Sequence, residues 1–243
     1  MISKNQLKLI RQLGQKKYRK QYNQYLVQGE KNVLELLNSP LNAVNIFATN
    51  EFINAYQGEY QHANFIEADE EVLTKASTLV SNNAAIAIVD MPKAALPQAS
   101  GLILALDGVS DPGNLGTIIR VADWYGIKHI VTSTDSADAY NPKTISATMG
   151  SFVRVSVSQV DLPDYLQSLN LPVYGAFLDG QSVHKTQFTG SGVLLMGSES
   201  HGIREQCAKL VSDKITIPAF GGAESLNVAM ATGIILDNFK RQA

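Results

Sequence analysis

The stretch LDGVSDPGNLGTIIRVADWY (106–125) decides how this chain is read. It follows the apolar run Leu102–Leu106, which has the look of a buried strand. Asp107 and Gly108 end that strand, Pro112 and Gly113 turn the chain, and a helix is predicted over Leu115–Tyr125. Gly113 and Gly116 permit backbone geometry that a side chain would block, and the helix N-terminus offers free N–H groups to an anion. Arg120 lies among Ile118, Ile119, Val121 and Ala122. An arginine in so apolar a helix either snorkels to the surface or is held for an anionic ligand. The stretch matches neither G-x-G-x-x-G nor the P-loop, so neither a dinucleotide-binding enzyme nor an NTPase is indicated.

Downstream, strands are predicted at His129–Thr132, Val153–Val157, Val173–Phe177, Val193–Met196 and Lys214–Ile217. Helices fall between most of them, at Pro142–Met149, Asp161–Leu169 and Ile203–Leu210, and a last one begins near Leu226. Apolar strands alternating with helices imply a parallel sheet covered on both faces. Ligands of such sheets bind in the loops beyond the carboxyl ends of the strands. Two further loops of that kind follow. In LLMGSESHG (194–202) a strand runs into Gly197, and Glu199 is either a ligand contact or an acid near a helix start. In IPAFGGAESLNVA (217–229), Gly221-Gly222 precedes Glu224, Ser225 and Asn227 at a helix start, which is more polarity than a cap requires.

Upstream, the first 90 or so residues alternate short helices and strands and form a small α/β block. Ser3 is a candidate cap and Gly14 a stop for the first helix, which carries Leu7, Ile10 and Leu13 on one stripe. MPKAALPQAS (91–100) is the most linker-like stretch. These features divide the chain into 1–92, a linker over 93–100, and 101–243.

The net charge of -2 conceals an asymmetry. Residues 1–31 carry Lys4, Lys8, Arg11, Lys16, Lys17, Arg19, Lys20 and Lys31 against the single acid Glu30. A segregated basic segment is the footprint expected for a polyanion, although a solvated helix face reads the same way. Tyr18, Tyr22 and Tyr25 are spaced either to stack on bases or to line a core. No apolar run of membrane-spanning length occurs, and the basic N-terminus lacks the apolar centre of a signal peptide. Cys207 is the only cysteine, so an internal disulfide and a cysteine-rich metal site are excluded, and a cytoplasmic protein is expected. His62, His129, His184 and His201 stand apart, which leaves no Ser-His-Asp or metal-ligand pattern for a small-molecule enzyme.

DPGNLGTIIRVA (111–122), MGSESHGI (196–203) and IPAFGGAESLNVA (217–229), in this order and at these separations, resemble the three motifs of the SpoU/TrmH family of SPOUT-class RNA methyltransferases. ADAYNPKTISATMGS (137–151) is similar to the family as well. The likeness covers about residues 102–241. The N-terminal block, chiefly QGEKNVLELL (28–37), more loosely resembles the ribosomal-protein-like α/β/α RNA-binding domain of many members. The resemblance implies an α/β fold whose parallel-sheet domain ends in a deep trefoil knot, a rare exception among protein chains. It implies a homodimer with the active site near the subunit interface, S-adenosylmethionine as cofactor and no metal. By motif position, Met196, Gly197, Ile217, Leu226 and Asn227 would border the cofactor. Arg120 would be the catalytic arginine, completed by Asn114, Glu199, Ser225 and Asn227. Ser198 departs from the Asn found in many members, which leaves the role of that side chain open.

The expected reaction is transfer of a methyl group to a ribose 2′-hydroxyl, with ribosomal RNA favoured as substrate by the separate N-terminal domain. A tRNA ribose methyltransferase is the alternative within the class, and a non-catalytic RNA-binding assembly factor the alternative outside it. Such a factor would be expected to have lost the motif residues, all of which are present. RNA is expected on Lys4, Lys8, Arg11, Lys16, Lys17, Arg19 and Lys20. Arg120 is expected to engage the 2′-hydroxyl and the adjacent phosphate. Whether it also takes the proton is left open by the residues, because guanidinium is normally always protonated.

Overall fold

The computed structural model describes residues 2–93 and 101–242, so most of the expected linker, 94–100, lies outside the described residues. The described residues form two compact units: 2–93 with 138–153, and 101–137 with 154–242.

Unit 1 is a four-stranded sheet between helices. Its strands are β1 (Gln24–Gln28), β2 (Ala43–Ala48), β3 (Phe65–Glu67) and β4 (Ala85–Asp90), in the order β1-β4-β2-β3. β4 runs antiparallel to both β1 and β2, whereas β2 and β3 are parallel. α1 (Lys4–Leu13) opens on a reciprocal cap: Ser3 Oγ accepts from the Gln6 amide at 3.2 Å, and the Ser3 amide donates to Gln6 Oε1 at 2.8 Å. Its Ile10 and Leu13 join Leu26, Phe47, Leu73, Ile86 and Ile88 on one face of the sheet, beside α5 (Glu70–Ala76). On the other face, Val33 and Leu36 of α3 (Glu30–Leu37) and Phe52 of α4 (Asn50–Tyr56) pack on Tyr25, Val27 and Ile46. α2 (Lys16–Tyr22) is a helix that the pattern did not foretell. It ends on Asn23 in the left-handed conformation, φ 54°.

The segment 138–153 lies in sequence between two strands of unit 2 yet packs with unit 1. Its helix α7 (Pro142–Thr148) places Ile145 in the same core as Tyr25. Tyr140 and Phe152 approach the Tyr25 ring with centroids at 4.8 and 6.4 Å. Asp138 pairs with Arg19 at 2.7 Å. Gly150, at φ +101°, lies so close to Glu35 that a Cβ would sit 2.4 Å from its Cγ. By its contacts this stretch groups with the smaller unit, although in sequence it lies within the block beginning at 101.

Unit 2 is built on six parallel strands in the order β10-β8-β9-β5-β6-β7. They are β5 (Leu102–Asp107), β6 (His129–Ser133), β7 (Ser156–Val160), β8 (Val173–Ser182), β9 (Gly192–Gly197) and β10 (Asp213–Thr216). β7 lies three residues beyond its predicted start, because Ser151–Val153 form a 3-10 turn whose Phe152 is taken up by the Tyr25 contact. α6 (Pro112–Trp124) and α10 (Val228–Lys240) pack on each other. α8 (Leu162–Ser168) and α9 (Glu205–Ala208) share a core with Ile103, Ala105, Val131 and Leu195. Ile103, Ala105, Val193 and Leu195 are buried, as expected for central parallel strands. No described helix is long and apolar enough to cross a membrane.

Candidate active site

Three loops beyond the carboxyl ends of β5, β9 and β10 carry the predicted site. After β5, Asp111 caps α6, accepting from the Asn114 amide at 2.9 Å, with Pro112 filling the first helical turn where no donor is needed. Before α10, Asn227 Oδ1 accepts from the Ala229 and Met230 amides at 2.9 and 3.4 Å. That use of Oδ1 turns Asn227 Nδ2 outward, where it donates to Asn114 Oδ1 at 2.9 Å. Asn114 Nδ2 is thereby aimed at Glu199 Oε1, to which it donates in a close contact. The polarity of both amides follows from the cap at one end and the carboxylate at the other. Asn227, Asn114 and Glu199 thus form one chain joining all three loops across 113 and 85 residues of sequence.

The loop bearing Glu199 is tightly folded. Ser198 and Gly202 exchange backbone hydrogen bonds at 3.1 and 2.9 Å, and Ser198 Oγ accepts from the His201 amide at 3.1 Å. Ser198 is therefore a turn former here. Gly197 has no room for a side chain, since a Cβ would fall 2.1 Å from the Gly202 carbonyl carbon. Met196 is buried and Ile217 half-buried. From Ala219 to Leu226, no backbone N–H donates to another group among the described residues. Added side chains at Gly221 and Gly222 would meet nothing within 4 Å. Ser225 and Leu226 are exposed just before the Asn227 cap.

Arg120 is not part of the chain formed by Asn114. It lies six residues further along α6, roughly 9 Å along the axis and roughly 240° around it. Its side chain is exposed and makes no hydrogen bond or ion pair among the described residues. On the same helix Trp124 is 85% exposed, and Met230 of α10, the helix packed on α6, is 62% exposed.

A second polar cluster at the same sheet edge escaped the sequence reading. Asp107, the last residue of β5, has a fully buried side chain and pairs with Arg204. Arg204 also reaches Asp135, which follows β6, at 2.9 Å. The Ser133 hydroxyl and the Arg204 guanidinium hold the Asp135 carboxyl below the usual range. Burial, with Asp107 nearby, pushes the Cys207 thiol up to about 12. The available signal was an acid closing the apolar run LILALD, since a buried carboxylate requires a partner.

In unit 1, Lys4, Lys8, Arg11, Lys16, Lys17 and Lys20 are exposed, as a polyanion surface requires. A cavity of about 390 Å³ is lined by Lys4, Lys8, Arg11, Gln12, Gln15 and Tyr18. Tyr18 stacks with Tyr22 at 6.4 Å and lies beneath Lys17 Nζ at 4.6 Å, whereas Tyr25 is buried in the core. Arg19 does not join this surface. It is 1% exposed, donates to the Leu13 carbonyl at 2.9 Å and is paired with Asp138, so its donors serve the fold in this structure.

Comparison with known proteins identifies what these loops belong to. The model of the SpoU rRNA methylase family matches residues 101–237, and that of the MRM3-like substrate binding domain matches residues 4–87. The 23S rRNA (guanosine(2553)-2′-O)-methyltransferase RlmP of Bacillus subtilis is 32% identical over 239 residues, covering 96% of each chain. A TrmH-family protein from Porphyromonas gingivalis is 39% identical and superposes with a TM-score of 0.90 over 100% of both chains. An rRNA methyltransferase from Sinorhizobium meliloti, solved with AdoMet bound, is 28% identical with a TM-score of 0.86, covering 99% of this chain and 97% of that one. Fold, motif loops and matches agree: the chain belongs to the SpoU rRNA methylase family.

Proposed function

We propose that the chain is an S-adenosylmethionine-dependent RNA methyltransferase that modifies a ribose 2′-hydroxyl, with ribosomal RNA as substrate. The observation that carries this reading is the Asn227–Asn114–Glu199 chain, which draws the three family motifs into one site. The rRNA methyltransferases among its relatives favour rRNA over tRNA.

The loops suit the cofactor. The backbone donors of 219–226 are uncommitted among the described residues, and the open space beside Gly221-Gly222 allows close approach to a flat adenosyl group. Met196, Gly197, Ile217, Leu226 and Asn227 are the residues that would hold it. When bound, S-adenosylmethionine supplies a methyl group already activated by its sulfonium. The ribose hydroxyl is a poor nucleophile near neutrality, so this chain's residues must orient it and lower the cost of losing its proton. Arg120 keeps its guanidinium donors free for the hydroxyl and an adjacent phosphate, which positions the oxygen and stabilises charge developing on it. Asn114, Glu199 and Asn227 hold the loops in register, and exposed Ser225 stands beside them.

The homodimer belongs to the same reading. The exposed apolar residues Trp124 and Met230, on helices that pack on each other, supply the self-complementary face that a two-fold interface requires. Arg120, apart from Asn114 on its own helix, would then meet the site across that interface. The trefoil knot and a cytoplasmic location are parts of this reading too. Lys4, Lys8, Arg11, Lys16, Lys17 and Lys20 would hold RNA phosphates.

The test is to incubate the purified chain with methyl-labelled S-adenosylmethionine and ribosomal or transfer RNA, and to digest the product to nucleosides. Label in a 2′-O-methylnucleoside from rRNA is expected. Label in a base would refute ribose chemistry, label only in tRNA would reassign the substrate, and cofactor binding with no transfer to either would favour the assembly-factor alternative.

A further inference from the structure

We infer that Asp107 and Arg204 are a positioning pair that fixes both ends of the 198–203 loop and so presents Glu199 to Asn114. The inference rests on reading that loop as part of the methyl-transfer site. Neither residue touches a reacting atom; each acts through Glu199.

The argument starts from strand register. Asp107 is the β5 residue paired with Gly197 of β9, so its backbone holds the point where the chain enters the loop. Its side chain holds the point where the chain leaves. Asp107 Oδ2 accepts from the Arg204 amide at 2.8 Å, and Oδ1 accepts from Arg204 Nε at 2.7 Å and from NH2 in a closer contact. One residue therefore anchors both ends of the loop. Between these anchors the neck is closed by the Ser198–Gly202 pair and by Gly197 lying against the Gly202–Ile203 backbone. Gly202, at φ +65°, supplies the left-handed turn this closure needs.

Arg204 suits the task better than another cation would. Its planar guanidinium gives Nε and NH2 to Asp107 and also spans to Asp135, through NH1 at 2.9 Å and NH2 at 3.1 Å. The pair thereby ties the loop after β9 to the ends of β5 and β6, its neighbours in the sheet. A lysine would keep the charge but lose the fork. The Asp107 carboxylate is wholly buried, so it has no water to replace the lost donors.

Two measurements on the full-length chain separate positioning from mere stabilisation. The first is amide hydrogen exchange by mass spectrometry in Arg204→Lys and in Asp135→Asn. The second variant touches only the exposed arm and keeps the test usable if the first fails to fold. Exchange in peptides spanning 197–203 is expected to quicken by about tenfold in Arg204→Lys and less in Asp135→Asn, with α1 and α3 at wild-type rates. The second is a double-mutant cycle on methyl transfer. Arg204→Lys should cost about tenfold alone but under about twofold where Glu199→Ala is already present, since both changes remove one effect. Unchanged loop exchange, or additive losses in the cycle, would overturn the inference. Should the wild type transfer no methyl group at all, the functional reading fails, and the exchange result still decides whether the pair fixes the loop.

Discussion

Arg19 and Arg120 invite comparison because sequence context does not say which of them has donors to spare. Arg19 stands in KKYRKQY among lysines, where a polyanion surface is the natural reading, yet it is buried with its donors committed to Leu13 and Asp138. Arg120 stands among isoleucines and valine, where an arginine covering apolar surface is just as natural, and its guanidinium is exposed and uncommitted among the described residues. Counting charges along a segment says how many cations are present. Counting occupied donors says which of them are available. By that measure the basic N-terminal segment holds one fewer available cation than its composition suggests, and the apolar α6 holds one more.

The comparison breaks first if Arg19 proves dispensable to the fold. Arg19→Met leaves Asp138 largely buried without its cation and should destabilise unit 1 by about 3 kcal/mol. Chemical denaturation of the full chain measures this, and the double variant Arg19→Met, Asp138→Leu should recover most of the loss. The loss should appear as unfolding of a unit that includes 138–153, because Ile145 shares the core of Tyr25, beside which Tyr140 and Phe152 lie. A corollary concerns truncation: deleting residues 1–95 would strip the packing from those side chains, so it is a poor way to isolate the second unit. A wild-type denaturation midpoint in Arg19→Met would show that the ion pair does not hold the segment.

Arg120→Ala should do the opposite. With no partner to lose among the described residues, the variant should keep the wild-type denaturation midpoint and S-adenosylmethionine affinity while methyl transfer falls at least about a hundredfold. Calorimetry for the cofactor and single-turnover transfer for the rate separate these effects. Near-wild-type turnover would remove Arg120 from the site and leave the Asn114 chain without its proposed cation.

Much of the fold was legible because its signals are local. β5, β6, β9 and α7 lie within one residue of their predicted bounds, since apolar runs and caps are read within one element. The misses depend on distant partners. α2 was invisible because its one buried residue is an arginine, whose partner Asp138 is 119 residues away. β7 was displaced because the side chain of Phe152 is claimed by Tyr25. The site divides in the same way. Asn114, Glu199 and Asn227 were each recognisable from their motifs, but the hydrogen bonds linking them span separate loops. Asp107 and Arg204 are 97 residues apart, and only the β5–β9 register reveals that they share a loop.

The smallest effect discriminates among the cations of the basic segment. Lys8 and Arg11 line the α1 cavity and are exposed, so Lys8→Ala or Arg11→Ala should weaken RNA binding a few-fold at moderate salt. Each should also reduce the slope of log affinity against log salt by about 1, because one phosphate contact releases about one counterion. Arg19→Met, assayed where it remains folded, should leave that slope unchanged, because a guanidinium already neutralised by Asp138 releases no counterion when RNA binds. The slope is the right readout because it reports the number of contacts rather than their summed strength. A local unfolding that merely lowered the competent fraction would shift the line without tilting it. If Arg19→Met tilted the line as much as Arg11→Ala does, Arg19 would have to leave Asp138 on binding RNA. Donor occupancy in the free chain would then be a poor guide to which arginines meet the substrate.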